Sequence, residues 1–186
     1  LQMIINYGVE KLDKLNGSFA FAFFDNHKKT LICARDRFGL APFYYSWNKN
    51  EFLFASELKA LLSTGKISNE LNFESLNKYL SLLWVPGPET ILNDIKKLPA
   101  GHFIKIDIDK EKLSINKWWD IEIKNTNFKS FNDIKEEIKF TLEQSVKRAT
   151  LSDVPIACGL SGGLDSQSIV GLLTKNNYKV NPFTMG

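Results

Sequence analysis

Cysteine, methionine and histidine are scarce in this chain of 186 residues, with two of each. Cys33 and Cys158 lie far apart, each inside an apolar run, and no metal-type spacing links them. Both are therefore expected to be buried free thiols, which suits a reducing cytoplasm. His27 falls in a polar turn and is expected to be exposed, while His102 opens a strand pattern, and a lone histidine makes no metal site. An excess of one charge is also missing: 24 basic residues face 21 acidic ones, for a net charge of +3. That balance gives no argument for nucleic acid or a membrane surface as partner. No apolar run reaches the ~18 residues a membrane-spanning helix needs. The N-terminus shows no basic, apolar and small-residue succession of a secretory signal, so a cytoplasmic location is expected. Internal repeats and low-complexity tracts are absent.

What is present is ordinary for a globular protein, with 44% hydrophobic and 24% charged residues. Residues 1–15 read as helix with a break at Gly8. Residues 18–24 alternate small and large apolar side chains, as a strand does, and Phe19, Phe21 and Phe23 read as core. The polar stretch 25–29 is a turn, and 30–35 returns as a second strand. Residues 43–47 and 52–55 make another hairpin, followed by a short helix over 57–62. Hairpins flanked by helices predict an antiparallel sheet with helices packed on it. A helix is predicted over 72–83, capped by Asn72, with Leu76, Tyr79, Leu80 and Leu83 as its apolar face. Residues 85–88, with two prolines and a glycine, end it. Residues 103–108 and 113–117 read as a pair of edge strands. Arg35, Asp36 and Arg37 are expected to form a structural turn with an ion pair, and Trp118 and Trp119 to pack between the sheet edge and a linker.

The pattern changes near residues 120–130. Ser130 with Asp133 resembles a capping box, and Phe131, Ile134, Ile138, Leu142 and Val146 give the helix behind it one apolar face. A buried strand within 153–160, a glycine-rich turn, a helix over about 166–175 and a strand over 180–184 then open a parallel α/β sheet. The predicted domains are 1–125 and 126–186. The chain begins at Leu1 in what reads as mid-helix and stops at Gly186 just after a strand, so a fragment of a longer protein is expected.

The sharpest motif is Ser161-Gly162-Gly163-Leu164-Asp165-Ser166. Between a strand and a helix it has the makings of a phosphate cradle. Its glycines allow positive φ and close backbone approach, and the helix start offers N–H donors and a favourable dipole to an anion. Ser161 and Ser166 can add hydroxyls. Asp165 makes sense beside a Mg²⁺ ion or as a helix cap. The Gly-Lys-Ser/Thr of the common phosphate loop is missing. The plain alternative is a glycine turn with a serine cap.

On these residues the sequence resembles the pyrophosphate-binding loop of ATP pyrophosphatases, enzymes that split ATP between its α and β phosphates; the loop alone does not choose among them. The stretches 15–23, 34–45 and 54–62 resemble the late glutaminase domain of class II amidotransferases, a four-layer N-terminal nucleophile hydrolase. Residues 85–91, 97–102 and 152–160 continue the match to glutamine-dependent asparagine synthetases over essentially the whole chain.

The resemblance implies an α+β N-terminal nucleophile hydrolase-type antiparallel sheet, followed by the start of an α/β parallel-sheet adenine nucleotide-binding domain. It implies ATP and Mg²⁺ as cofactors and ATP, glutamine and aspartate as substrates of the full-length enzyme, with neither nucleic acid nor membrane as partner. A homodimer is compatible with it. Leu160 and Met185 would meet adenine through their backbone, Ser161, Gly162, Gly163, Leu164, Asp165 and Ser166 would hold the pyrophosphate, and Asp165 would face the metal. The family's N-terminal cysteine nucleophile has no counterpart here, since neither Cys33 nor Cys158 is N-terminal. Asn16-Gly17 belongs to the later Gly-x-Phe-Ala motif and is not the glutamine-binding Asn-Gly pair. Two alternatives stay open: a related ligase acting on another acid, and a non-catalytic binding module. Residues after 130 are expected to be marginally stable, because a two-stranded parallel sheet leaves apolar faces uncovered.

Overall fold

The computed structural model describes residues 2–48, 50–123 and 130–184. The chain divides into two compact units, Leu1–Glu122 and Ile123–Gly186. The predicted boundary at 125/126 lies outside the described residues.

In the first unit, α1 (Gln2–Tyr7) runs into a 3-10 helix over Gly8–Lys14, so the single predicted helix changes its winding at Gly8. Strands β1 (Ala20–Asp25) and β2 (Thr30–Arg35) form the predicted antiparallel hairpin, with Ala20 opposite Arg35 and Asp25 opposite Thr30. The Asp25 carboxylate closes the turn by accepting the N–H groups of His27 and Lys28, both at 3.0 Å, and leaves His27 exposed as expected. Strands β3 (Tyr44–Trp47) and β4 (Phe52–Ala55) form the second hairpin, and the short helix α2 (Leu58–Leu62) follows. Helix α3 (Phe73–Leu82) starts at Asn72, whose side chain accepts the Ser75 N–H at 2.9 Å. Then come β5 (Lys96–Lys97), β6 (His102–Asp107) and β7 (Lys112–Lys117).

The two hairpins do not share a sheet, which corrects the single sheet expected. One sheet has the order β1-β2-β6-β7 and the other β4-β3-β5. Strand β6 is therefore interior, paired with β2 as well as β7, and only β7 of the expected edge pair lies at an edge. Period-two alternation sorts the side chains into layers. Leu31 and Cys33 of β2 and Ile104 and Ile106 of β6 pack with Tyr45, Trp47 and Phe52 of the second sheet. Ile32, Ala34 and Phe103 point the other way, joining Phe19, Phe21 and Phe23 against Ile4, Val9 and Leu12. Tyr44, Leu53 and Ala55 turn from the second sheet toward Leu58, Leu61 and Leu62 of α2. Helix, sheet, sheet and helix are thus stacked in four layers.

Helix α3 departs from its predicted packing. Tyr79, Leu80 and Leu83 are exposed, Leu80 and Leu83 by 70% and 81%, while Ser75 on the same helix is buried. The spacing produces an apolar stripe; it does not supply a surface to cover it.

In the second unit, α4 (Phe131–Ala149) starts with the predicted capping box: Asp133 N–H donates to Ser130 Oγ at 3.2 Å, and the Asp133 carboxylate accepts the Ser130 N–H. Strand β8 (Ile156–Gly159), helix α5 (Leu164–Lys175) and strand β9 (Val180–Phe183) follow, with β8 and β9 parallel, as expected of a β–α–β opening. Glu143 of α4 accepts from the Asn176 side chain at 3.1 Å and lies 3.6 Å from Lys175 Nζ, tying α4 to the end of α5. Among the described residues of this unit only Val146 and Leu173 are buried apolar side chains. Phe131, Ile134, Ile138 and Leu142 of the predicted apolar face are exposed, and β8 is only partly covered. No described helix is long and apolar enough to cross a membrane.

Candidate functional site

The glycine loop lies where β8 gives way to α5. Ile156 to Gly159 pair in register with Val180 to Phe183, and the Leu160 N–H extends the ladder by donating to the Phe183 carbonyl at 2.7 Å. The chain then turns through Ser161 and Gly162 and enters α5 at Leu164, two residues earlier than predicted. Gly163 is the N-cap, extended at φ −78° and ψ 160°, with no side-chain cap bond. Asp165 is the second residue of the helix, in its first turn and exposed, so it does not cap the helix.

Hydrogen bonds within the loop fix its shape. Ser166 Oγ donates to the Gly163 carbonyl at 3.1 Å and accepts the Ser161 N–H at 3.2 Å. The two serine hydroxyls lie 3.2 Å apart. Gly163 N–H makes a long 3.5 Å contact to Ser161 Oγ. The Gln167 side chain donates to the Gly162 carbonyl at 2.9 Å, while its own N–H makes the first helical bond, to Gly163 O, at 3.1 Å. Gly162 has φ +80°, and a Cβ built there would meet nothing within 4 Å. Glycine is needed at this point for its backbone conformation, and the space beside it is open.

An open loop of small residues over the first turn of a helix has the chemistry to receive an anion. The first N–H groups of an α-helix have no intrahelical acceptor, and the helix carries partial positive charge there. The donors fit a phosphate group. The fit to Mg²⁺ is narrower: among the described residues no three His, Cys, Asp or Glu side chains cluster, so Asp165 is a single carboxylate. Mg²⁺ commonly binds through one or two carboxylates plus substrate phosphates.

Leu160 to Ser166 thus run without a break from the end of β8 through the glycine turn into the first turn of α5, while Met185, the other predicted adenine contact, lies outside the described residues. Gln167, not among the predicted site residues, also reaches the loop: four residues after Gly163 it sits one helical turn above it, and that spacing is its signal in the sequence. Cys158 lines an apolar hollow of about 380 Å³ bounded by α4, β8 and α5, and is half-buried where full burial was expected.

The charged trio of the first unit is a turn, as expected, without its ion pair. Asp36 is 1% exposed, and its carboxylate accepts the N–H groups of Phe19, Phe38, Leu40 and Ala41 at 3.3, 3.1, 3.0 and 2.9 Å. Burial pushes its pKa up, but the four backbone donors outweigh that and hold it below the usual value. Arg35 donates to the carbonyls of Ala41, Leu98 and Gly39, and Arg37 to those of Leu15 and Asp13. Backbone partners on every side leave the side chains unpaired with each other. Trp118 stacks on Phe19 and donates to the Arg35 carbonyl at 3.2 Å; Trp119 meets Phe38 edge-on, and Arg37 lies over both tryptophans. Trp118 is therefore packed with the aromatics on the helix-facing side of the first sheet rather than against a linker. Nothing in this cluster offers a nucleophile. Burial pushes the Cys33 thiol up to about 12, which makes it inert.

Residues 1–119 match the family described as the glutamine amidotransferase domain, and residues 137–186 match the asparagine synthase family. The chain is 35% identical, across all of its length, to a Methanocaldococcus jannaschii protein provisionally named glutamine-hydrolysing asparagine synthetase 2, and spans 37% of it. It is 35% identical over 92% of its length to the Bacillus subtilis glutamine-hydrolysing asparagine synthetase 3, spanning 28% of that protein. Amidase chry2 of Gibberella zeae is 31% identical over 91% of the chain, which spans 25% of it. The antiparallel sheets of the first unit agree with the first of these family matches.

Proposed function

The chain belongs to the glutamine amidotransferase domain family, and from that premise we propose that it is part of an ATP-dependent, glutamine-hydrolysing asparagine synthetase. The observation that carries this reading is the loop 161–166, held open over the start of α5 beside a parallel strand pair, in the segment that matches the asparagine synthase family. In the proposed reaction the side-chain carboxylate of aspartate attacks the α-phosphorus of ATP and pyrophosphate leaves. Ammonia, released from glutamine, then attacks the activated carbonyl carbon and AMP leaves. Adenylation supplies a leaving group that a free carboxylate lacks.

The loop's own part is to bind and orient the leaving pyrophosphate through Ser161, Gly162, Gly163, Leu164, Asp165 and Ser166. Mg²⁺, held by Asp165 together with phosphate oxygens, would neutralise charge that develops on the leaving group. Leu160 would receive adenine through its carbonyl, since its N–H is already given to Phe183; Met185 is the second proposed adenine contact. A second reading has the same loop serve a ligase that activates another carboxylic acid; the likeness to a relative named an amidase, chry2, keeps the match from being confined to proteins named asparagine synthetase.

The test is made on the full gene product that contains this chain. AMP and pyrophosphate release are measured with glutamine, with and without aspartate, for wild type and Asp165→Ala. Aspartate-dependent release that falls at least about a hundredfold in the variant is expected, the scale of losing a charge-stabilising group. Release that ignores aspartate would move the assignment to another acid. No release would make a non-catalytic binding module the better description.

A further inference from the structure

We infer that Gln167 is a positioning residue of the nucleotide loop, keeping the Gly162–Gly163 peptide turned so that its N–H, and not its carbonyl, is available to the bound phosphate. The inference rests on the ATP reading given above and goes beyond it, since Gln167 lies outside the 161–166 loop. A peptide between two glycines is the easiest in a chain to flip, because neither flanking residue has a Cβ to resist rotation. In a trans peptide the C=O and N–H point in opposite directions, so holding one sets the other. Gln167 holds the carbonyl: its side-chain amide donates to Gly162 O at 2.9 Å. The Gly163 N–H is thereby kept pointing away from Gln167, where its one hydrogen-bond contact among the described residues is 3.5 Å from Ser161 Oγ, long enough to be exchanged for a better acceptor. A flip would place a carbonyl oxygen where an anion needs a donor. Gly162, at φ +80° with open space beside it, has no packing of its own to prevent this. Ser166 secures the next carbonyl, that of Gly163, and so cannot do the same work at Gly162.

Gln167 is exposed, so its replacement does not threaten folding. Gln167→Met keeps the length and removes the donor. Gln167→Glu keeps the shape and sets an acceptor against the Gly162 carbonyl. On the full gene product, pyrophosphate and ATP binding are titrated by calorimetry, with Tm and glutamine hydrolysis measured in parallel. Gln167→Met is expected to weaken pyrophosphate binding about five- to tenfold, the size of one hydrogen bond, and Gln167→Glu more strongly. Tm and the rate of glutamine hydrolysis should not move, and KM for ATP should rise more than kcat falls. Unchanged pyrophosphate affinity in both variants, with wild type binding normally, overturns the positioning role and leaves the loop reading intact. A wild type that binds neither ATP nor pyrophosphate overturns both together. A fall in Tm matching the loss of affinity would assign Gln167 to helix stability and overturn the role proposed here.

Discussion

Asp36 is the residue on which the first unit's central turn depends. Truncation to alanine leaves four N–H groups without their acceptor in a closed environment, where each unpaired donor costs on the order of 1–3 kcal/mol before relaxation. Asp36→Ala is expected to lower stability by about 2–4 kcal/mol in urea denaturation at pH 7. The pH dependence has a definite sign. Its folded pKa lies below the unfolded value of ~3.9, so its contribution is full above that value and fades as pH falls through the folded one. The gap between wild type and Asp36→Ala should therefore narrow between pH 4 and lower pH; a constant gap would sink this account. Gly101 sits beside the same turn, donating its N–H to the Asp36 carbonyl at 2.9 Å. It has φ +66°, and a Cβ there would stand 2.5 Å from the Trp119 carbonyl oxygen. Gly101→Ala should accordingly destabilise well beyond the ~1–2 kcal/mol of left-handed strain that Gly162→Ala meets in open space. Equal losses for the two would show that the Trp119 backbone moves aside freely. Thiol chemistry separates the two cysteines as well: with Cys33 buried and its thiol pushed up to about 12, alkylation of the native chain should label Cys158 first. Of these features the sequence displayed the turn, through its charges and glycine, but not its wiring. The acceptors of Arg35 include Leu98, 63 residues away, and no local pattern announces such a partner.

Elements were more legible than their neighbours. Alternation over β1 and β2, the caps at Asn72 and Ser130, and the hairpin turns are short-range signals, and the structure keeps each of them. Which strands share a sheet is a long-range matter. Strand β2 pairs with β6 some 70 residues later, and nothing in either strand encodes that choice over pairing with β3. Amphipathic spacing in α3 and α4 marked apolar faces correctly as patterns, yet burial depends on what lies opposite. In α4 only Val146 of the predicted face is buried, and the hollow of about 380 Å³ under β8 shows how loosely that layer is filled. Amides in β8, α5 and β9 should therefore exchange with solvent far faster than those of β2 and β6, which have strands on both sides and packed layers above and below. Strong, uniform protection across residues 156–183 would contradict the marginal stability argued from the two-stranded sheet.

At the scale of the whole chain, the two units differ in how their stability is built, and that difference is measurable. Unit one closes hydrophobic clusters around two sheets, with Cys33, Leu98, Ile104 and Ile95 fully buried. Unit two has Val146 and Leu173 as its buried apolar side chains among the described residues, and relies more on local devices: the Ser130 capping box and the Glu143 links to Asn176 and Lys175. A fully buried large apolar side chain contributes roughly 1.5–3 kcal/mol, and a capping residue about 1. The second unit should therefore melt first, and calorimetry of this chain should resolve two transitions instead of one. Substitutions assign them. Ser130→Ala removes an acceptor at the start of α4 and should lower only the first transition, whereas Asp36→Ala should lower only the second. If either substitution shifts both by the same amount, the units fold as one cooperative body. ATP offers a further check on the full gene product. A ligand bound to the loop of the native state raises the apparent stability of the unit that holds it by mass action, so on the proposed reading pyrophosphate should raise the transition of the asparagine synthase segment and leave that of the amidotransferase segment in place.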